Sequence, residues 1–331
     1  MTTTTLSSLL QSFFTDRLMS QREASPHTIA SYRDTFRLLL AFAEKQLKKP
    51  PSKLTLDDLD APFIGAFLDH IESYRHNGAR TRNLRLTAIR SFFQYAAFQE
   101  PTRSAHIQRV LAIPAKRHER PLIAFLTHPE IQALLAAPDG TTWMGRRDRA
   151  LLMLAIQTGL RLCELIGLRR RDIVLGSGAH VRCFGKGRKE RSTPLTKQTV
   201  AVMKAWLQER GGSEGDVVFP SARGTPLSPD GVQYLLAKHM AQARKTCPSL
   251  KEKRVSPHVL RHTAAMELLQ SGVDHSVIAL WLGHESPETT HIYLHADLAL
   301  KEKILEKTRP LSVGPGRYRP SDKLLQFLNS L

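Results

Sequence analysis

Between His258 and Tyr293 the chain reads HVLRH, then WLGHES, then TTHIYLH, so an arginine, several histidines and a tyrosine fall in one short stretch of otherwise apolar helix. These residue types can hold a phosphate and attack it without a metal. A guanidinium fork grips two phosphate oxygens with paired N–H donors, imidazoles add hydrogen bonds, and a phenol can act as a nucleophile. The phenol's ordinary pKa of about 10 keeps it neutral at pH 7, so attack needs a neighbour that takes its proton. His258 is the natural candidate, because an imidazole with an ordinary pKa of about 6.5 is largely neutral there. Plainer explanations stand beside these. Tyr293, between Ile292 and Leu294, suits a core. His258 with His262, and His291 with His295, have the i,i+4 spacing of metal ligands, yet position 259 is Val where a metalloprotease helix carries Glu.

Further candidates lie upstream: Arg161 in TGLRLCEL and Lys186 in FGKGRKER. A second arginine would complete a two-point grip on phosphate, and a lysine at a Gly-flanked hairpin tip has the reach to protonate a leaving oxygen. Arg161 can equally pair with Glu164 one turn on, an i,i+3 ion pair. Lys186, Arg188, Lys189 and Arg191 can all be plain phosphate contacts, and Lys189 rivals Lys186 as an acid.

Taken in chain order, Arg161, Lys186, His258, Arg261, His284 and Tyr293 resemble the catalytic series of the tyrosine recombinases, or phage integrases, in their two-domain Xer-type form. Arg261 follows His258 by three positions and Tyr293 follows His284 by nine, and the likeness runs from about residue 10 to about residue 310. It implies that Tyr293 attacks a DNA phosphodiester to form a 3′-phosphotyrosyl bond. Arg161, Arg261 and His284 would hold the phosphate and Lys186 would protonate the 5′ oxygen. It implies no cofactor, neither metal nor ATP, and a homo-oligomer on double-stranded DNA, a tetramer in the synapse, with a paralogous recombinase as an additional partner. The role would be service to a mobile element or replicon resolution. Two other readings stay open: a type IB topoisomerase, which shares this chemistry without partner exchange, and a non-catalytic DNA-binding regulator.

Composition agrees with a polyanionic partner. The 331 residues carry 48 Lys plus Arg against 30 Asp plus Glu, a formal charge of +18, with a pI near 10.2. That excess points to nucleic acid. A hydrophobic content of 41% is that of a globular chain rather than a disordered basic tail. No stretch approaches the ~18 apolar residues of a membrane span, and the N-terminus lacks a basic leader, so a cytoplasmic location is expected. Cys163, Cys183 and Cys247 form no CxxC pair and read as thiols in a reducing compartment.

The elements that must position these residues follow from periodicity and caps. The expected fold is mainly α: a four-helix core-binding domain of SAM-like type over 1–102, a basic linker over 103–121, and a mixed α+β catalytic domain over 122–309 with a small three-stranded antiparallel sheet. A tail over 310–331 follows, its last helix able to pack on a neighbouring protomer. In the first domain, apolar positions from Leu6 to Leu18, a Ser25 cap before Pro26, and stretches over 61–74 and 79–98 mark the four helices. Arg80, Arg82 and Arg85 on the last of these, with Lys116 and Arg117 in the linker and Arg188 and Lys189 at the hairpin, are the expected DNA contacts. Thr127 to Glu130 reads as a capping box, and helices are expected over 147–157, 161–168, 197–209, 229–245, 257–270, 276–282 and 289–296.

Overall fold

The computed structural model describes residues 5–118, 123–185, 190–284, 290 and 293. The chain divides into two compact units, Met1–Arg120 and Pro121–Leu331. The expectations for Lys186, Arg188, Lys189, the helix over 289–296 and the tail over 310–331 lie wholly or mostly outside the described residues.

In the first unit, α1 (Leu6–Ser12) continues without a break into π-helical turns over Phe13–Gln21. It is followed by α2 (Pro26–Leu47), α3 (Ala61–Ser73) and α4 (Ala79–Gln99). Their starts are written in the sequence. Ser25 accepts from the Thr28 N–H with Pro26 at the first helical position, and Asp60 accepts from the Phe63 N–H at 2.7 Å. Phe13, Phe36 and Phe92 meet edge-on at the centre, with ring centroids 5.3 to 6.2 Å apart.

Past Glu100 the structure departs from expectation. The segment read as the start of a linker folds into a fifth helix, α5 (Ser104–Leu111), whose Ile107 and Val110 are buried in the domain core. The polar residues Arg103, His106 and Arg109 mask that i,i+3 apolar pair in the sequence. The next residues are fastened to α4 by Arg82 Nη1 to Pro114 O (3.1 Å), Arg90 Nη2 to Ile113 O, and a reciprocal pair between Asn83 and the backbone of Lys116. The first domain therefore includes most of what the sequence suggests is linker.

The second unit is helical with a three-stranded antiparallel sheet. Its helices are α6 (His128–Ala136), α7 (Trp143–Thr158) and α8 (Leu162–Gly167). After the sheet come α9 (Lys197–Arg210), α10 (Pro229–Thr246), α11 (Pro257–Gln270) and α12 (His275–Leu282). The sheet runs β1 (Ile173–Val174), β2 (His180–Phe184) and β3 (Glu190–Pro194), in that order, with Cys183 opposite Arg191. The Thr127 capping box is present, and Glu130 is also held by Ser249 and Lys253 at 2.7 Å each. Buried α7 packs against both α9 and α11, which sets the end of α7 beside the face of α11.

Candidate active site

The site begins where α7 stops. Gly159 takes the left-handed conformation, φ +64°, and donates its N–H to Ala155 O, ending the helix. A Cβ there would lie 2.6 Å from Leu282 Cδ2 and 3.1 Å from Ala264 Cβ, so both the conformation and the close approach favour glycine. Two residues on, Arg161 is the extended residue that opens α8, and its backbone N–H donates to Glu164 Oε2 at 2.7 Å. α11 supplies His258, Arg261 and His262 at i, i+3 and i+4, one face of the helix. α12 ends at Gly283, also left-handed at φ +65°, and the chain passes directly to His284.

These pieces converge. Arg161 Nη2 donates to Gly283 O at 2.8 Å, Arg261 Nη2 to Leu282 O at 2.8 Å, and Arg261 Nη1 to Gly159 O at 2.7 Å. Two guanidinium groups thus hold consecutive carbonyls of one turn. Each guanidinium has five N–H donors, which leaves three on each without a partner among the described residues. Arg261 is 6% exposed. Burial, then the neighbouring Arg161, pushes its pKa down to about 10, still protonated at neutral pH.

Tyr293 is 1% exposed, its ring packed among Ala265, Met266, Leu269, Ile278 and Leu282. It is therefore a core tyrosine as well as a candidate nucleophile. Its hydroxyl and His262 Nδ1 share a hydrogen bond of 3.1 Å, with the direction set by the imidazole tautomer. Burial raises the phenol above its ordinary pKa, and the charge of Arg261 opposes that. The His284 ring lies nearly parallel to Tyr293, interplanar angle 7°, and its Nδ1 is 2.7 Å from Thr290 Oγ1. Burial pushes both His262 and His284 down to about 4, so both are neutral at pH 7.

Five of the six expected residues therefore share one place: Arg161, His258, Arg261, His284 and Tyr293. Lys186 lies outside the described residues. One role shifts. The sequence points to His258 as the proton acceptor, but His258 is exposed and its ring centroid is 6.4 Å from that of His262, the residue that meets the Tyr293 hydroxyl. The sequence singles out His262 only for its i,i+4 spacing from His258; its place directly after Arg261 in HVLRH is the signal that could have found it. The plain reading of Arg161 also holds, since its Nη1 donates to Glu164 Oε1 at 3.0 Å. Arg191, treated as one more basic residue of the hairpin, makes a bidentate pair with Glu164 at 2.7 and 3.0 Å.

The expected DNA contacts of the first domain separate. Arg80 and Arg117 are exposed. Lys116 is exposed but pairs with Glu72 at 2.6 Å. Arg82 is 5% exposed and bonded to Pro114 O and, at 3.7 Å, Glu72, so burial takes it out of reach of a phosphate. Arg85 donates to Ser31 O and Thr35 Oγ1 and serves chiefly to join α4 to α2. Among the described residues no group of three or more His, Cys, Asp or Glu side chains is placed to hold a metal ion.

Residues 124–299 match the phage integrase family, more than half of the chain, and residues 11–100 match the phage integrase N-terminal SAM-like domain. The chain belongs to the phage integrase family, the tyrosine recombinases. It is 61% identical to a putative integrase/recombinase, y4rC, of Sinorhizobium fredii, over 98% of each chain. It is 31% identical to the tyrosine recombinase XerC of Chlamydia caviae, over 90% of this chain and 98% of that one. The fold matches the XerH site-specific recombinase bound to a palindromic difH substrate, TM-score 0.70 at 23% identity, over 91% of this chain and 84% of that one. It also matches the Tn1549 transposon integrase in complex with transposon right end DNA, TM-score 0.70 at 15% identity, over 92% and 99%. The SAM-like assignment agrees with the helical first unit, whose α5 lies beyond the matched segment.

Proposed function

We propose that this integrase-family chain is a site-specific DNA recombinase that cuts and rejoins duplex DNA through Tyr293. The observation that carries this reading is the meeting of Arg161, Arg261, His284 and Tyr293 around the turn at Leu282–Gly283. Arg161 and Arg261 take the non-bridging oxygens of the scissile phosphate, and His284 adds a donor. The Tyr293 oxygen forms a bond to phosphorus while the bond to the 5′ oxygen breaks. The phenolic proton passes to neutral His262, with exposed His258 beside it as the link to solvent. Lys186 gives a proton to the departing 5′ oxygen, so the products are a 3′-phosphotyrosine and a 5′ hydroxyl. The 5′ hydroxyl of the partner strand then attacks in the reverse sense, and bond energy is retained throughout.

Three guanidinium groups at the site, Arg161, Arg191 and Arg261, face one carboxylate, Glu164, while His262 and His284 are neutral. Two positive charges are left over, which suits a pentacoordinate phosphorus dianion. Arg80, Lys116, Arg117, Arg188 and Lys189 would contact the DNA backbone, and the assembly would be a tetramer of this chain, with or without a paralogue, in the service of a mobile element or a replicon.

The test is covalent trapping on a nicked suicide substrate. The wild-type chain is expected to give a protein–DNA adduct and Tyr293→Phe none. An adduct retained by Tyr293→Phe refutes the assignment.

A further inference from the structure

Two half-buried imidazoles of the site each meet a hydroxyl through Nδ1: His262 at Tyr293, 3.1 Å away, and His284 at Thr290, 2.7 Å away. The first hydroxyl belongs to the nucleophile, and the second takes no part in bond making. Thr290 stands three positions before Tyr293 and is 1% exposed, and its hydroxyl has no other partner among the described residues. A hydroxyl closed off from water is most stable when it donates to the acceptor at hand. The separation fits that direction, being shorter than the ~2.9–3.0 Å usual when an N–H donates to oxygen.

Which nitrogen of His284 carries the proton follows from this contact. Burial, then the charges of Arg261, Arg161 and Arg191, hold the imidazole down at about 4, so at pH 7 it is neutral and has a single N–H. With Thr290 donating to Nδ1, that N–H is at Nε2, the ring nitrogen without a partner among the described residues. With the proton on Nδ1 instead, Nε2 would present a lone pair and repel a phosphate oxygen. The same bond ties down the plane of the ring, which lies at 7° to that of Tyr293.

We infer that Thr290 is a positioning residue, whose hydroxyl donates to Nδ1 of His284 and so keeps the Nε2 proton available to the scissile phosphate. The inference rests on the reading of the chain as a recombinase in which His284 is a phosphate donor.

The test joins ring-nitrogen NMR of the full-length chain, its histidines labelled with heavy nitrogen, to single-turnover covalent cleavage of the nicked suicide substrate. The His284 signals, identified by their loss in His284→Asn, are expected to show a protonated Nε2 and a bare Nδ1 that accepts a hydrogen bond. Thr290→Val keeps the shape of the side chain and removes the donor. It is expected to move the Nδ1 signal toward that of an unbonded nitrogen and to slow cleavage about tenfold, and Thr290→Ser to restore both. A wild-type His284 protonated at Nδ1 overturns the proposal with no variant needed, which keeps it open to refutation should Thr290→Val fail to fold. Wild-type cleavage by Thr290→Val overturns it too. So does slower cleavage with the His284 signals unmoved, since Thr290 would then only fill space. Failure of the wild-type chain to form any adduct is a separate result: it refutes the recombinase reading and the phosphate-facing role with it, while the tautomer is still read from the free protein.

Discussion

Two arginine-rich regions of this chain use the same chemistry to opposite ends. On α4, Arg82, Arg85 and Arg90 donate to the carbonyls of Pro114, Ser31 and Ile113, and around the α7–α8 junction Arg161 and Arg261 donate to those of Gly283, Leu282 and Gly159. In the first region an arginine buried to 5% exposure has Glu72 beside it, and its bonds fasten one segment to another. In the second, two guanidinium groups converge on one turn, and Arg161 bears on Arg261 strongly enough to help depress its pKa. The difference teaches that a ligand site is marked by guanidinium groups crowding one another, rather than by the burial of any one arginine. Hydrogen bonds to carbonyls are found in both regions and decide nothing.

Arg261→Lys is the sharpest way to break this comparison. It keeps the charge and loses the fork, and covalent cleavage should fall about 10²–10³-fold with the adduct assay as readout. If Arg261 only braced the turn, as Arg82 braces its segment, the cleavage rate per folded molecule would not move. Arg82→Met should do the reverse. Leaving the Pro114 carbonyl without its donor should cost about 1–3 kcal/mol in urea unfolding, while cleavage by DNA-bound protein stays at the wild-type rate. A cleavage defect exceeding the loss of folded protein would erase the distinction between the two regions.

A further effect is on pH dependence. His262 and His284 sit near pKa 4 in the folded chain against 6.5 for a free imidazole. Between those values the unfolded chain binds protons that the folded chain does not, so stability is retained above about pH 6.5 and lost progressively as pH falls toward about 4. The urea midpoint of the catalytic unit should drop over that window, and His284→Asn should flatten the curve. An unchanged midpoint from pH 7 to pH 4.5 would contradict the burial of both imidazoles.

How far the sequence reveals this architecture depends on whether a feature is local. Ser25 before Pro26 and Thr127 three residues before Glu130 are caps that act within one turn, and both are where the sequence puts them. The order Arg161, His258, Arg261, His284, Tyr293 is legible because each sits in a short motif. The bond between Tyr293 and His262 spans 31 residues and that between Arg191 and Glu164 spans 27, and no local signal announces either. Charge also misleads in one direction. Arg82 and Arg85 read as solvent-facing because arginine usually is, and Arg103, His106 and Arg109 disguise the apolar stripe of α5 for the same reason.

The two left-handed glycines bear on how such a protein can be retargeted to a new DNA address. At position 159 a Cβ would come 2.6 Å from Leu282 Cδ2 and at 283 it would come 2.9 Å from Arg191 Nη1, and both positions hold a left-handed φ, so any other side chain is strained and crowds the machinery itself. In a randomised library both codons should be enriched in glycine, whatever DNA is selected for. Useful diversity belongs instead at exposed positions such as Arg80 and Arg117, where a new side chain meets solvent in the free protein.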